Sequence, residues 1–380
     1  MALRYGTFVA SVLAAASSTA SFAQSSVTLF GVVDAGIARM SASGAGHSAG
    51  LVSGGSSSSR LGFRGTEDLG GGLSAGFWLE GALNNDVGAG ASQTTGLDFA
   101  RRSTVSLSNT FGELRMGRDY TPIYVNMIAY DTWGQRGVGT IETTGTSRAG
   151  VGSYARTSNG VTYFLPKRLG GFSGSIQYAF GEQLSTKQAV ANPAGISTSA
   201  GNASTDKTGD VFGISAGFAN GPFAIGVAYT AFIDAVRTSG ASSYAADYKV
   251  ANIGASYDFG FVRTKAFYQS ECINGRGPIA EVKSDTWALG GAVPLGSAGE
   301  IKSQIARFSQ NASANDHVKL SIGYTYPLSK RTALYADVAR LKNKGAGTVA
   351  INNLGGSIAS PSPTPGGSST GYVVGMRHSF

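Results

Sequence analysis

The sequence predicts an all-β fold, a sixteen-stranded antiparallel transmembrane β-barrel. Three observations predict it. From Val27 onward, stretches of about ten residues alternate between apolar and polar positions, the length a tilted strand needs to cross a bilayer. Their connections are short and long in turn. The chain also ends on an aromatic residue inside such a stretch. Tyr372, Val374, Met376, His378 and Phe380 share one strand face, and Val373, Gly375, Arg377 and Ser379 share the other. A strand at the very end suits a closed barrel, whose last strand pairs with its first and removes the sheet edge.

The first 23 residues read as an export signal. Arg4 supplies a positive charge, Phe8 to Ala16 a short apolar core, and Ser21-Phe22-Ala23 a small-x-small cleavage site. The apolar core is too short to span a membrane, which takes roughly 20 residues. The mature chain is expected to begin at Gln24, with residues 24–380 forming a single barrel domain.

Composition narrows the class. Removing Arg4 from 30 Lys+Arg leaves 29 against 22 Asp+Glu, a net charge near +7. The basic residues are dispersed, with no basic run and no aromatic-basic motif, which argues against nucleic acid. Nothing after Ala23 is apolar enough for a membrane helix. The 56 glycines lack the period of collagen and suit curved, tilted strands. Cys272 is the lone cysteine, so no intrachain disulfide can form. Three His and one Cys are too few for a metal site, and no cofactor is expected.

Alternation places strands near 27–41, 58–67, 73–85, 99–110, 113–121, 154–165, 171–181, 209–219, 222–233, 247–259, 261–271, 284–295, 299–310, 316–328, 331–343 and 371–380. In the clearest, Phe172, Ile176, Tyr178 and Phe180 oppose Ser173, Ser175, Gln177 and Ala179. Tight connections such as Asn220-Gly221, a favoured hairpin turn, alternate with long ones at 42–57, 122–153, 182–208, 234–246, 272–283 and 344–370. One end of the barrel is therefore tight and periplasmic, the other loopy and extracellular. A barrel this wide encloses water, and the small polar inward residues suit a wet wall.

The 122–153 connection carries Pro122, Ile123, Tyr124, Val125, Met127, Ile128, Tyr130 and Trp133. A loop in free solvent seldom holds so many apolar residues, so this one is expected to fold into the lumen and narrow it. Its polar side offers Asp131 and Glu142, with Arg136 and Arg148 nearby. Parity then selects wall charges. Leu61 and Phe63 face lipid, so Arg60 and Arg64 face inward. The same reasoning turns Arg102 and Arg156 inward and leaves Arg101 on the lipid side near a rim, where its stem can snorkel. Inward charges are solvated, whereas an outward one at mid-membrane costs roughly 2–4 kcal/mol. Arg60, Arg64, Arg102 and Arg156 form the expected basic wall of a constriction, and Asp131, Glu142 and Glu80 its acidic side. Asp34 also falls on inward parity. A weak anion preference is expected from this charge cluster.

Four stretches carry a resemblance: Ser26 to Gly36, Ser59 to Gly70, Phe111 to Arg118, and Met376-Arg377-His378-Ser379-Phe380. Together they resemble the trimeric general porins of Gram-negative bacteria, in particular the beta-proteobacterial group. The resemblance spans the mature chain. It implies a homotrimer in the outer membrane, in contact with lipid and lipopolysaccharide. It also implies a third extracellular loop folded inward, and passive diffusion of ions and small hydrophilic solutes. Arg60, Arg102 and Arg156 match the basic constriction cluster of such proteins, while Asp131 and Glu142 match only by location. Val32 stands where some enterobacterial relatives have lysine, which implies a smaller cluster here.

Three other readings compete. An enzyme in a barrel needs a nucleophile, base and acid together, yet His47, His317 and His378 are scattered and Cys272 lies in an expected loop. A solute-specific channel for an anion or sugar would line its lumen with aromatics or an arginine ladder, and inward aromatics are few: Trp78, Phe164 and Tyr335. An adhesin or phage receptor would use the exposed loops.

Overall fold

The computed structural model describes residues 26–90, 96–141, 154–182, 207–237, 245–274, 280–296, 299–311, 316–351 and 358–380. The expected export signal and its cleavage point lie outside these residues. One antiparallel sheet of seventeen strands closes on itself. Its strands are β1 (Ser26–Ala42), β2 (Gly46–Ser53), β3 (Arg60–Gly70), β4 (Leu73–Ala82), β5 (Arg102–Asn109) and β6 (Gly112–Tyr120). After the helix α1 (Pro122–Tyr130) come β7 (Arg156–Phe164), β8 (Phe172–Ala179), β9 (Val211–Asn220), β10 (Phe223–Arg237), β11 (Ala245–Asp258) and β12 (Arg263–Ile273). The last are β13 (Val282–Leu295), β14 (Gly299–Gln310), β15 (His317–Pro327), β16 (Thr332–Asn343) and β17 (Ser368–Ser379). Every expected strand overlaps an observed one. Cys272, expected in a loop, lies in β12.

The barrel is sixteen staves because β2 and β3 share one. β2 pairs with the upper half of β1, from Ala42↔Gly46 to Ala35↔Ser53. β3 pairs with its lower half, from Val32↔Arg60 to Ser26↔Thr66. Much of the expected loop 42–57 is therefore wall. Its Gly/Ser-rich composition hides a strand whose inward residues, Ser48, Gly50 and Val52, are small or weakly patterned. Between the two halves, residues 54–59 leave the ladder and fold inward. Asp34 satisfies this detour, accepting from the Ser56 and Ser57 amides at 3.0 and 2.6 Å. Its carbonyl accepts from Gly54 at 2.9 Å. Buried backbone donors need such partners.

Closure follows the expectation from the terminal strand. β17 pairs with β16 and with β1, where Val32↔Ser379 leads to Ala42↔Ser369. Phe380 extends the seam, exchanging two backbone hydrogen bonds with Gly31, each 3.1 Å. Its ring lies where a Gly31 side chain would stand. Deleting Phe380 removes both bonds and this contact. The folded yield on refolding into lipid vesicles is expected to fall several-fold, read by heat-dependent gel migration. An unchanged yield would show that the seam closes without it.

Outward residues such as Leu29, Ile37, Ile176, Leu320 and Val374 are exposed and apolar. Inward Asn252, Gln269, Thr286 and Ser321 are polar. The inner wall is not uniformly wet, however. From β8 round to β1 it carries two apolar clusters. One joins Ile123, Met127 and Ile141 to inward residues including Phe232, Tyr248 and Phe267. The other joins Val138 and Ile351 to residues including Met40, Tyr335 and Leu341. These are the places where loops dock inside the barrel.

Candidate functional site: a docked loop facing an arginine wall

The 122–153 connection does enter the barrel over its described residues. Pro122 opens α1, where its fixed φ and missing donor are tolerated. Ile123 and Met127 are fully buried against the wall. A chain of amides latches the helix down. Asn126 Nδ2 donates to the Gly226 carbonyl (3.1 Å) and to Asn252 Oδ1 (2.9 Å). Asn252 Nδ2 donates to the Ile123 carbonyl (3.0 Å) and Gln269 Oε1 (3.1 Å). Gln269 and Tyr248 donate to the two oxygens of Glu271, at 2.8 and 2.7 Å.

Beyond the helix the loop crosses to the far strands. Thr132 N donates to Gln304 Oε1 (3.0 Å), and Trp133 Nε1 to Asp337 Oδ1 (3.0 Å). Inward glycines make room for it. Tyr130 occupies the space a Gly254 side chain would need, and Asn126 that of Gly226. Thr132 does the same at Gly290. These glycines lie on inward parity along the wall. That pattern is the signal from which the docking path could have been read in the sequence.

The loop thus covers the wall from β8 to β17 and leaves free the opposite wall, β3 to β7. The arginines stand there. Arg101 Nε meets Glu80 Oε1 at 2.6 Å, and Arg60 Nε lies 3.9 Å from the same oxygen. Trp78 Nε1 donates to Glu80 Oε2 (3.2 Å). Arg156 Nη2 and Arg101 Nη2 both donate to the Tyr120 hydroxyl, at 2.7 and 3.3 Å. Arg156 lies over the Tyr120 ring, 4.2 Å from its centre, and donates from Nε to the Arg101 carbonyl (2.7 Å). Arg102 lies 4.4 Å over Trp78 and 3.5 Å from Asp119 Oδ2. Stacking on rings and bonding to fixed oxygens holds the guanidinia in place. Tyr120 packs on Tyr124 of the loop, centroids 5.3 Å apart. Burial pushes the Tyr124 phenol up, so it stays neutral.

The structure brings Arg60, Arg102 and Arg156 to one wall. Arg64 lies there too, four residues nearer the tight turn after β3, over the rings of Phe30 and Trp78. Arg101 corrects the parity expectation. It is buried inside the barrel, not on the lipid side, because it precedes the first residue of β5 and strand alternation does not govern it. Glu80 stands among the arginines and not across from them. Asp131 is buried within the loop's own turn, where it accepts from Gln135 N (2.7 Å), Gln135 Nε2 (2.9 Å) and Trp133 N (3.3 Å). Glu142 and Arg148 lie outside the described residues. On the loop, Arg136 acts electrostatically on both Arg60 and Arg156. Parity missed Tyr120 because a register shift between Gly117 and Asp119 breaks the alternation of β6, whereas Asp119 keeps the inward parity of Arg115, which it meets at 2.7 Å.

A closed sheet with an apolar outside, a wet inside and a loop narrowing it defines a transmembrane diffusion channel. Comparison with known proteins agrees. The family described as Gram-negative porin matches residues 10–346. Outer membrane porin protein 32 of Delftia acidovorans is 38% identical over 369 residues, 96% of this chain and 97% of that protein. An outer membrane porin protein of Bordetella pertussis is 30% identical, covering 89% of this chain and 94% of that protein. Among solved structures, the anion-selective porin from Comamonas acidovorans superposes with a TM-score of 0.81 at 36% identity, covering 94% of this chain and all of that one. The chain belongs to the Gram-negative porin family and is an outer-membrane porin.

Proposed function

We propose that this porin favours anions and that Arg60, Arg101, Arg102 and Arg156 set the preference. A single observation carries the reading: these four guanidinia share one wall with only two carboxylates, Glu80 and Asp119, among the described residues of the cluster. Clusters of charge at a narrow point determine which ions pass. The loop side adds Arg136, while the Asp131 carboxylate is engaged in its own turn. Over the described residues the loop side thus carries one charge of each sign, Arg136 and Asp131, so the positive field comes from the arginine wall; Glu142, the other acid expected to oppose it, lies outside the described residues. The similarity to a porin described as anion-selective supports the same reading. Export through a cleaved 1–23 signal and assembly as a homotrimer in contact with outer-membrane lipid and lipopolysaccharide belong to this proposal. So does passage of small hydrophilic solutes, with transport and not catalysis as the activity. The zero-current potential across a planar bilayer under a tenfold KCl gradient tests it. A value of the sign set by chloride is expected, and one set by potassium would sink the assignment.

A further inference from the structure

Below the constriction, toward the tight end of the barrel, lies a recess of about 390 Å³. Arg64, Arg102, Arg115 and Lys167 line it, beside the hydroxyl residues Thr28, Thr66 and Ser106. Arg115 is already engaged. It meets Glu113 Oε1 at 2.8 Å and Asp119 Oδ2 at 2.7 Å, and lies 4.3 Å over Phe164. Arg64 is different. Its guanidinium rests over Phe30 and Trp78, at 5.3 and 5.2 Å, and makes no hydrogen bond or ion pair among the described residues. The hydroxyls of Thr28, Thr66 and Ser106 are likewise without hydrogen bonds among those residues. A free two-pronged donor and three free hydroxyls thus border one recess. Its four cations face two carboxylates, Glu113 and Asp119, leaving a charge of +2.

We propose that this recess is a second station, on the periplasmic side of the constriction, for a small divalent tetrahedral oxyanion: inorganic phosphate or the phosphoryl group of a monoester. The inference rests on the anion-favouring reading and deepens it. A guanidinium fork takes two oxygens of such a group. A tetrahedral anion has further oxygens pointing away from the fork, where the hydroxyls can donate. A phosphate carrying close to two negative charges near neutral pH matches the charge of the site. A planar carboxylate fills the fork and leaves the hydroxyls unused. Water reaches the recess, so binding is brief, as a conducting pore requires.

Single-channel recording in KCl with added inorganic phosphate tests the station, and it reads only folded pores. In the wild type, chloride current is expected to fall saturably with phosphate. Arg64→Gln is expected to raise the half-blocking concentration about tenfold, the equivalent of one charge-assisted bond. Arg64→Lys keeps the charge, loses the fork and should fall between. An unchanged half-block in Arg64→Gln would overturn the station. So would malonate blocking the wild type as strongly as phosphate. The two readings fail separately. A potassium-favouring zero-current potential sinks the anion preference, whereas an anion-favouring wild type without saturable phosphate block sinks the station alone.

Discussion

Exchanging both Arg60 and Arg156 for glutamate is expected to turn the pore from anion-favouring to cation-favouring. The wall cluster holds four guanidinia and the carboxylates Glu80 and Asp119, a charge of +2. Each exchange removes one positive charge and adds one negative, so the double variant carries −2. In water, a unit charge at about 6 Å from a passing ion contributes roughly 0.7 kcal/mol. Four units therefore amount to about 3 kcal/mol before salt screening, whose length is roughly 10 Å at 0.1 M. Even halved, this is about 1.4 kcal/mol against an anion and as much in favour of a cation, so the anion-to-cation permeability ratio shifts roughly a hundredfold. The fold should tolerate the change, because both side chains face the wet lumen and neither supplies a ladder bond. The zero-current potential under a KCl gradient is the readout, and it should change sign. A chloride-favouring double variant would mean that the field is set elsewhere in the lumen.

Replacing Gly254 with leucine is expected to cut single-channel conductance by at least half. Gly254 lies on the inward face of β11, and the Tyr130 ring fills the space its side chain would need. Its backbone is in a region open to any residue, since no positive φ is recorded there. The penalty is therefore purely one of volume, of the order of 1–3 kcal/mol for overpacking. The wall is held by hydrogen bonds to two neighbours, β10 and β12, whereas α1 is held mainly by the Asn126 and Asn252 amides and apolar contact. The helix yields first. It moves off the wall, toward the arginines, and narrows the passage. Adding Tyr130→Ala vacates the space and should restore conductance. A wild-type conductance in Gly254→Leu alone would show that the loop does not bound the passage.

The barrel was legible in the sequence because one local rule produces it. A lipid outside and a watery inside impose opposite chemistry on successive residues, and that alternation is printed along the chain. It placed Arg60, Arg102 and Arg156 inward, as well as Asp34 and Tyr335, which meet inside at 2.6 Å. The rule failed where strand geometry fails. Arg101 sits just before a strand, Tyr120 just after a register shift, and β2 is too Gly/Ser-rich for its alternation to show. Glu80 has the parity expected of it, but parity states only that a residue faces inward and not which wall it shares. Loop residues carry no parity at all, so the fate of Asp131 had no signature in its neighbours.

The order of the strands, all of them but β2, the closing seam at Phe380 and the sidedness of residues within regular ladders were readable from the chain alone, because they depend on neighbours two positions apart. Folding had to supply the rest: where the 122–153 loop lies against the wall, which carboxylates are engaged in holding turns or guanidinia, and which cations remain free. Those outcomes depend on residues far apart in the chain, such as Trp133 and Asp337, meeting across an interior that exists only once the sheet has closed.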